Sequence, residues 1–369
     1  MRKTGHVILP LHGGHAPKWL TSRMKKLSGE MVRLLVSEYG PKEFLARLSD
    51  PFWFQAFGCV LGFDWHSSGL TTVVTGVLKD ALQFDIHGVK VAGGKGKASR
   101  KTPQEVAEMG DLINLSTKRI EELQYASRIC AKVDTVAIQA GYPLYHHNIF
   151  LTEKGDWCVI QQGICAEDRT ARRYHWLSSN VQNFIVEPHD AIVGDAVRPQ
   201  VLNMTAKEVE ENRRTCVDLV KERPNHTISS IKRLSAETTL DYWINGSGIS
   251  QNYQAYSMPR RLDWDLFTAL YEYQPADYEA LVAFPGVGPA VARSLSLVAE
   301  LVYGVPASWK DPVKFSFAHG GKDGVPFPVD KETMDYTIKM LGEILKNSSI
   351  EDEEKRRALR RLVEYSALN

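Results

Sequence analysis

Gly286 and Gly288 stand two apart inside the run Leu281-Val282-Ala283-Phe284-Pro285-Gly286-Val287-Gly288-Pro289-Ala290. Glycine accepts positive φ without strain, and its missing side chain lets another molecule approach the backbone. A tight bend here leaves the first N–H groups of the next helix, including that of Ala290, without intrahelical partners. Such groups, with the positive end of the helix dipole behind them, suit an oxyanion. Val287 is the apolar plug between the two helices, Ala292 is small enough for them to cross closely, and Pro289 fits a first turn that needs no N–H. The competing reading is a glycine-turned helical hairpin with no ligand.

Two further groups carry positive charge. Lys90, Lys95, Lys97, Arg100 and Lys101 fall in one acid-free stretch with Gly93, Gly94 and Gly96. Flexible backbone N–H groups among cations suit phosphate, although the Gly-Lys-Ser/Thr ending of a nucleotide loop is missing. Arg169, Arg172 and Arg173 precede Tyr174, His175 and Trp176. Arginine forks bind phosphate bidentately and aromatic faces take unstacked bases. A solvated loop and a half-buried element are the respective alternatives.

A third set could move protons or hold a metal. His12 and His15 flank Gly13-Gly14, and Asp64-Trp65-His66-Ser67-Ser68 forms a polar turn between two apolar segments. Histidine near its ordinary pKa serves as acid, base or metal ligand. With Asp64 and His66 as ligands, a divalent ion such as Mg2+ or Mn2+ could assist phosphodiester hydrolysis. Capping and loop polarity explain any one of these residues taken alone.

The elements that must position these groups follow from periodicity. Helices are expected at Trp19–Ser37, Pro41–Leu48, Leu70–Leu82, Pro103–Leu115, Thr117–Val133 and Asn203–Val220. Strands are expected at Ile86–Ala92, Val136–Ala140, Asn148–Thr152 and Trp157–Gln161, the last two joined by a hairpin turn at Glu153-Lys154-Gly155-Asp156. A loop ends at Thr227-Ile228-Ser229. Beyond residue 225 the pattern is helical throughout, at Asp263–Leu270, Ala276–Ala283, Pro289–Tyr303, Lys331–Leu345 and Glu351–Leu368. The expectation is an α+β protein, with a mixed α/β domain and small sheet at 1–225 that holds the chemistry. An all-helical domain at 226–369 carries the glycine hairpin.

The 369 residues include 45 Lys+Arg against 44 Asp+Glu, so polyanion binding has to rest on local patches and not on bulk charge. Five scattered cysteines, with no C-x-x-C pair, read as reduced thiols. No apolar run has the length of a signal peptide or a bilayer span, so a cytoplasmic protein without membrane contact is expected. A homodimer is left open.

The spacing Leu281, Phe284, Gly286, Val287, Gly288, Ala292, Leu295 is similar to the helix–hairpin–helix element of DNA repair proteins. That resemblance implies a grip on the nucleic-acid backbone, DNA foremost and RNA second, that does not read sequence. Phe327-Pro328-Val329-Asp330 resembles the end of the helix–hairpin–helix DNA glycosylase core, where an aspartate serves the chemistry at the sugar, and Asp330 is the counterpart. Here the stretch from Gly288 to Asp330 is longer, and Ala290 stands where lyase-type members place a lysine. An N-cap is the other role for Asp330.

Leu9-Pro10-Leu11-His12-Gly13-Gly14-His15-Ala16-Pro17, Gly62-Phe63-Asp64-Trp65-His66-Ser67-Ser68-Gly69, Ala92-Gly93-Gly94-Lys95-Gly96-Lys97, Val159-Ile160-Gln161-Gln162-Gly163 and Ala171-Arg172-Arg173-Tyr174-His175-Trp176 together resemble one family. It is found in archaea and some thermophilic bacteria and labelled a domain of unknown function. This resemblance spans nearly the whole chain, implies a prokaryotic cytoplasmic protein and assigns no catalytic residue. The function expected from the residues is a DNA-processing or repair enzyme, a metal-assisted nuclease before a glycosylase using Asp330 or a non-catalytic binder.

Overall fold

Apolar residues recur at helical spacing from Met24 to Leu35, and they form the buried face of α1 (Lys18–Tyr39). The computed structural model describes residues 18–63, 69–167, 169–194, 197–245, 257–313 and 331–367. Gly40, at φ +84°, turns the chain into α2 (Pro41–Ser49). Asp50 then accepts from the N–H groups of Phe52 (2.8 Å) and Trp53 (3.1 Å), capping α3 (Pro51–Val60), in which every residue is buried. α4 (Gly69–Ala81) and the short α5 (Phe84–His87) complete the first helical group.

The sheet follows. β1 (Val89–Lys95) leads through a 3-10 stretch (Gly96–Lys101) into α6 (Thr102–Leu112) and α7 (Thr117–Lys132). A wide helical turn, Val133–Ala137, precedes β2 (Ile138–Gln139), β3 (Leu144–Thr152), β4 (Trp157–Cys165), β5 (Thr170–Leu177), β6 (Ala191–Gly194) and β7 (Leu202–Asn203). The main sheet is antiparallel in the order β1-β3-β4-β5-β6, and β2 pairs with β7 separately. Then come α8 (Glu210–Lys221), α9 (Pro224–Asn245), α10 (Asp265–Tyr273), α11 (Tyr278–Ala283), α12 (Pro289–Leu301), α13 (Lys331–Asn347) and α14 (Asp352–Ala367). The protein is therefore α+β.

Strand alternation sends side chains to two opposite faces, and here both faces are covered. Phe150, Cys158 and Ile160 join a core with α1–α4, α13 and α14. Ile149, Val159, Tyr174 and Trp176 join another with α7, α8, α10, α11 and α12. The apolar clusters do not part at residue 225. One of them runs from Phe84 to Val298, and the last two helices pack beside the first four.

The hairpin around Gly155 and most helices lie where periodicity places them. Four segments differ. Ile86 belongs to α5, and the strand starts at Val89. Val136 and Ala137 continue the helical turn after α7, which shortens the expected strand to Ile138–Gln139. Asn203 ends β7, and the helix starts only at Glu210. The expected loop at Thr227–Ser229 lies inside α9, because Ile231 and Leu234 bury one face of that helix.

Candidate functional site

α11 is short, and Asp277 fixes its start by accepting from the Ala280 N–H at 2.8 Å. The chain then bends through Phe284–Gly288, with Gly286 at φ +87° and the Val287 N–H bonded to Phe284 O at 3.2 Å. Pro289 opens α12, and the Ala292 N–H reaches Gly288 O at 3.1 Å. Leu281, Val287, Ala292 and Leu295 are buried, whereas Pro285 and Gly286 are exposed. A Cβ on Gly286 would lie 3.1 Å from the Leu266 side chain, so the bend is tight on its inner side as well.

The N–H groups of Gly288, Ala290 and Val291 have no hydrogen-bond partner among the described residues. They carry the positive end of a 13-residue helix, and no side chain caps it. Lys132, the last residue of α7, donates its ammonium to Val287 O and to Phe284 O (3.4 Å). Burial lowers its pKa from the ordinary lysine value. Gln139 donates to Pro289 O at 2.9 Å, and Arg293 bonds Ser257 O at 3.3 Å while lying over the Trp309 ring. The bend therefore has unpaired donors at the start of α12, an exposed turn at Pro285 and Gly286, and a fixed cation beneath.

Lys95, Lys97, Arg100 and Lys101 are exposed, and none has a carboxylate partner among the described residues. Their backbone is pinned from within. Glu105 accepts from the Gly93 N–H (2.7 Å) and from Lys79 (2.6 Å), and Lys79 also donates to Gly93 O. Gly93 sits so close to β3 that a Cβ would meet His147 O at 2.2 Å.

The basic stretch and the bend do not touch, but α7 runs between them. Gln124 donates to Pro103 O at 2.8 Å, just after Lys101, and Lys132 holds the bend. Eight residues of helix separate Gln124 from Lys132, about 12 Å. Arg128 lies midway on the same face, exposed and without a partner among the described residues. Sequence reasoning missed Arg128, Lys132 and Arg293. The signal for the first two was the four-residue spacing Gln124, Arg128, Lys132 on one helix.

Arg172 and Arg173 need correction. Both lie in β5 and both are 0% exposed, so neither guanidinium faces a solvent-borne polymer. Arg172 forks onto Asp311 at 2.9 and 2.7 Å and lies over Tyr142. Arg173 donates to His175 Nε2 (2.8 Å), Thr71 Oγ1 and Gln55 Oε1 (both 3.3 Å), over the Phe54 ring. Helices cover the sheet on both faces, so neither side of β5 reaches water.

His12, His15, Asp64, His66 and Asp330 lie outside the described residues. Among the described residues no three His, Cys, Asp or Glu side chains gather as metal ligands. No helix among them is long and apolar enough to cross a membrane. No curated protein and no solved structure matches the chain. One family model does match, over residues 5–329, and the chain accordingly belongs to the family described as Protein of unknown function (DUF763).

Proposed function

We propose that this protein binds the phosphate backbone of DNA through the α11–α12 bend, acting as a helix–hairpin–helix element. The observation that carries the reading is the set of unpaired N–H groups of Gly288, Ala290 and Val291 beside an exposed Gly286, with Lys132 beneath. Backbone donors at a helix N-terminus meet a phosphate oxygen without reading the base next to it. Lys95, Lys97, Arg100, Lys101 and Arg128 extend the contact along the backbone.

Fluorescence anisotropy with labelled single- and double-stranded DNA tests this. Gly286→Glu sets a carboxylate where the phosphate oxygen binds, and affinity falls about tenfold or more on every sequence alike, roughly 1.4 kcal/mol. Gly286→Ala is the milder control: it carries the φ strain and the Leu266 contact without the charge. Equal affinity of wild type and Gly286→Glu, with melting curves showing both folded, would remove the hairpin as the contact. The same reactions with Mg2+ or Mn2+, and with His66→Ala and Asp330→Asn, separate nuclease and glycosylase activity from binding. A nuclease shortens or nicks the strand, a glycosylase leaves abasic sites and a binder does neither.

A further inference from the structure

One short stretch of chain holds two peptide groups of the bend from behind. Lys132, the last residue of α7, donates to Val287 O and, at 3.4 Å, to Phe284 O. Gln139, in β2, donates to Pro289 O at 2.9 Å and to Val136 O at 3.0 Å. The wide helical turn Val133–Ala137 lies between them and is anchored by the buried Val133, Val136 and Ala137. Wide turns of this kind are rare and recur at functional sites.

A planar peptide carries its C=O and its N–H on opposite edges. Val287 O and the Gly288 N–H share one plane, and Pro289 O and the Ala290 N–H share another. A donor that grips the carbonyl edge therefore sets the direction of the N–H edge. The two planes gripped here are the ones that carry the unpaired N–H groups of Gly288 and Ala290. Phe284 O, the second acceptor of Lys132, also takes the Val287 N–H at 3.2 Å, so the ammonium closes the bend onto itself.

Lys132 meets only carbonyl oxygens among the described residues, and no carboxylate pairs with it there. Burial lowers its pKa with no opposing acid. Half-buried charges are ordinarily paired, so this one stands uncompensated next to the bend. A cation bonded to a carbonyl polarises the peptide and makes its N–H a stronger donor. Gln139 is neutral, but its Oε1 lies 3.5 Å from Arg293 Nη1, which places a second cation behind the second peptide.

We infer that Lys132 and Gln139 are positioning residues for the DNA contact: they turn the Gly288 and Ala290 N–H groups outward, and Lys132 lends its charge to the first through the Val287–Gly288 peptide. The inference rests on the bend as that contact and identifies what prepares it for a phosphate. If these bonds served only to pack the hairpin, an apolar side chain of similar length at 132 would leave DNA binding as it is.

DNA affinity by fluorescence anisotropy and the amide spectrum of the 15N-glycine-labelled full chain test this. Gly288→Ala removes one peak and so assigns it. A methyl fits there, since φ is −123° and a Cβ would lie 4.0 Å from Gly286 O. Gly286→Ala assigns the other peak. In DNA-free protein, Lys132→Met is expected to move Gly288 upfield in 15N, because the carbonyl before it loses its donor. Gly286 follows Pro285, whose carbonyl Lys132 does not touch, and stays nearly in place. The same variant weakens DNA about fivefold on every sequence alike. Lys132→Arg, which keeps the charge and a donor for each carbonyl, stays near wild type. Gln139→Leu removes a neutral donor and weakens DNA about twofold. In the Gly286→Glu background Lys132→Met costs little more, since the contact it supports is already lost.

Unchanged DNA affinity of Lys132→Met, whatever its melting temperature, overturns the inference. So does an equal loss in both backgrounds, or a Gly288 amide that stays where it was. The two readings fail separately. An inert Lys132→Met beside an effective Gly286→Glu removes the positioning role alone. An inert Gly286→Glu removes the hairpin contact, whereas the Gly288 shift, read without DNA, still reports whether Lys132 polarises that peptide.

Discussion

His146, His147 and His175 stand in the sheet almost without solvent contact. Burial pushes the pKa of His146 down to about 3, with the charges of His147 and Lys95 adding to it. Burial also lowers His147, against the Gln161 hydrogen bond and Asp134, and it holds His175 well below the ordinary value with help from Arg173. In the unfolded chain all three titrate near 6.5. Acid therefore protonates the unfolded state first. The stability these neutral rings permit is whole above pH ~6.5 and drains as pH falls below it, for His146 down to about 3 at ~1.4 kcal/mol per pH unit. Asp190, whose carboxyl burial raises, works with the opposite sign, but it is one group against three. Urea midpoints measured from pH 7.5 to 5 are expected to fall below 6.5, and His146→Gln flattens the fall by up to ~1.4 kcal/mol per pH unit. A midpoint independent of pH across that window contradicts this account.

The same residues explain why the sequence misled at Arg172 and Arg173. Basic and aromatic types side by side read as a surface that binds polyanions. Their partners lie far away in the chain: Asp311 is 139 residues from Arg172, and Gln55 is 118 from Arg173. Nothing local to Ala171–Trp176 announces that both faces of the strand are covered. At Gly286 and Gly288 the reverse holds, since the bend is a local backbone requirement and the residue types state it directly.

Among elements, those whose apolar spacing repeats over several turns were legible, α1, α7 and α12 above all. The β3–β4 hairpin was announced by its turn residues, Gly155 adopting φ +80°. α9 was not legible, because Thr, Ser and Ile in its first turns resemble a loop and only packing against α8 and α12 reveals the buried face. The irregular stretch from Val305 to Val313 had no periodic signal either, yet it is strapped to the sheet. Asp311 accepts the fork of Arg172 and the N–H groups of Arg198 (2.7 Å) and Val313 (3.1 Å), with both members of the ion pair wholly buried. Removing one charge from such a pair strands the other in a dry site. Asp311→Asn is expected to cost ~3–5 kcal/mol in urea unfolding. Breaking the half-exposed Arg119–Glu122 pair on α7 by Glu122→Gln costs under ~0.5 kcal/mol. Equal, small losses in both variants would show that the Asp311 carboxylate does not anchor the strap.

At the scale of the molecule, the change of pattern near residue 225 was real, but it marks no break in packing. The helices beyond it fill in both faces of the sheet built before it, and sequence cannot show which distant faces meet. That layering sets the α11–α12 bend against the C-terminal end of α7, and α6, into which the Gly96–Lys101 stretch leads, against its middle. The two contact points on α7, Gln124 and Lys132, lie about 12 Å apart, although the basic stretch and the bend near them are 185 or more residues apart in the chain. On the proposed reading, with one DNA charge per ~3.4 Å on each strand, a contact along that length of α7 meets about three phosphates of a strand. A formal net charge of +1 gives no long-range pull, so the proposed DNA affinity has to come from local cations and depends on salt. Each cation that neutralises a phosphate contributes ~0.9 to the slope of log K against log salt on duplex DNA. Arg128→Ala is therefore expected to lower affinity modestly and reduce that slope by about one, alike on all sequences. Lys339→Ala, an exposed change on α13 in the opposite helical layer, leaves the slope as it was. If the two variants shift the slope equally, DNA is held by diffuse charge rather than by a face running along α7.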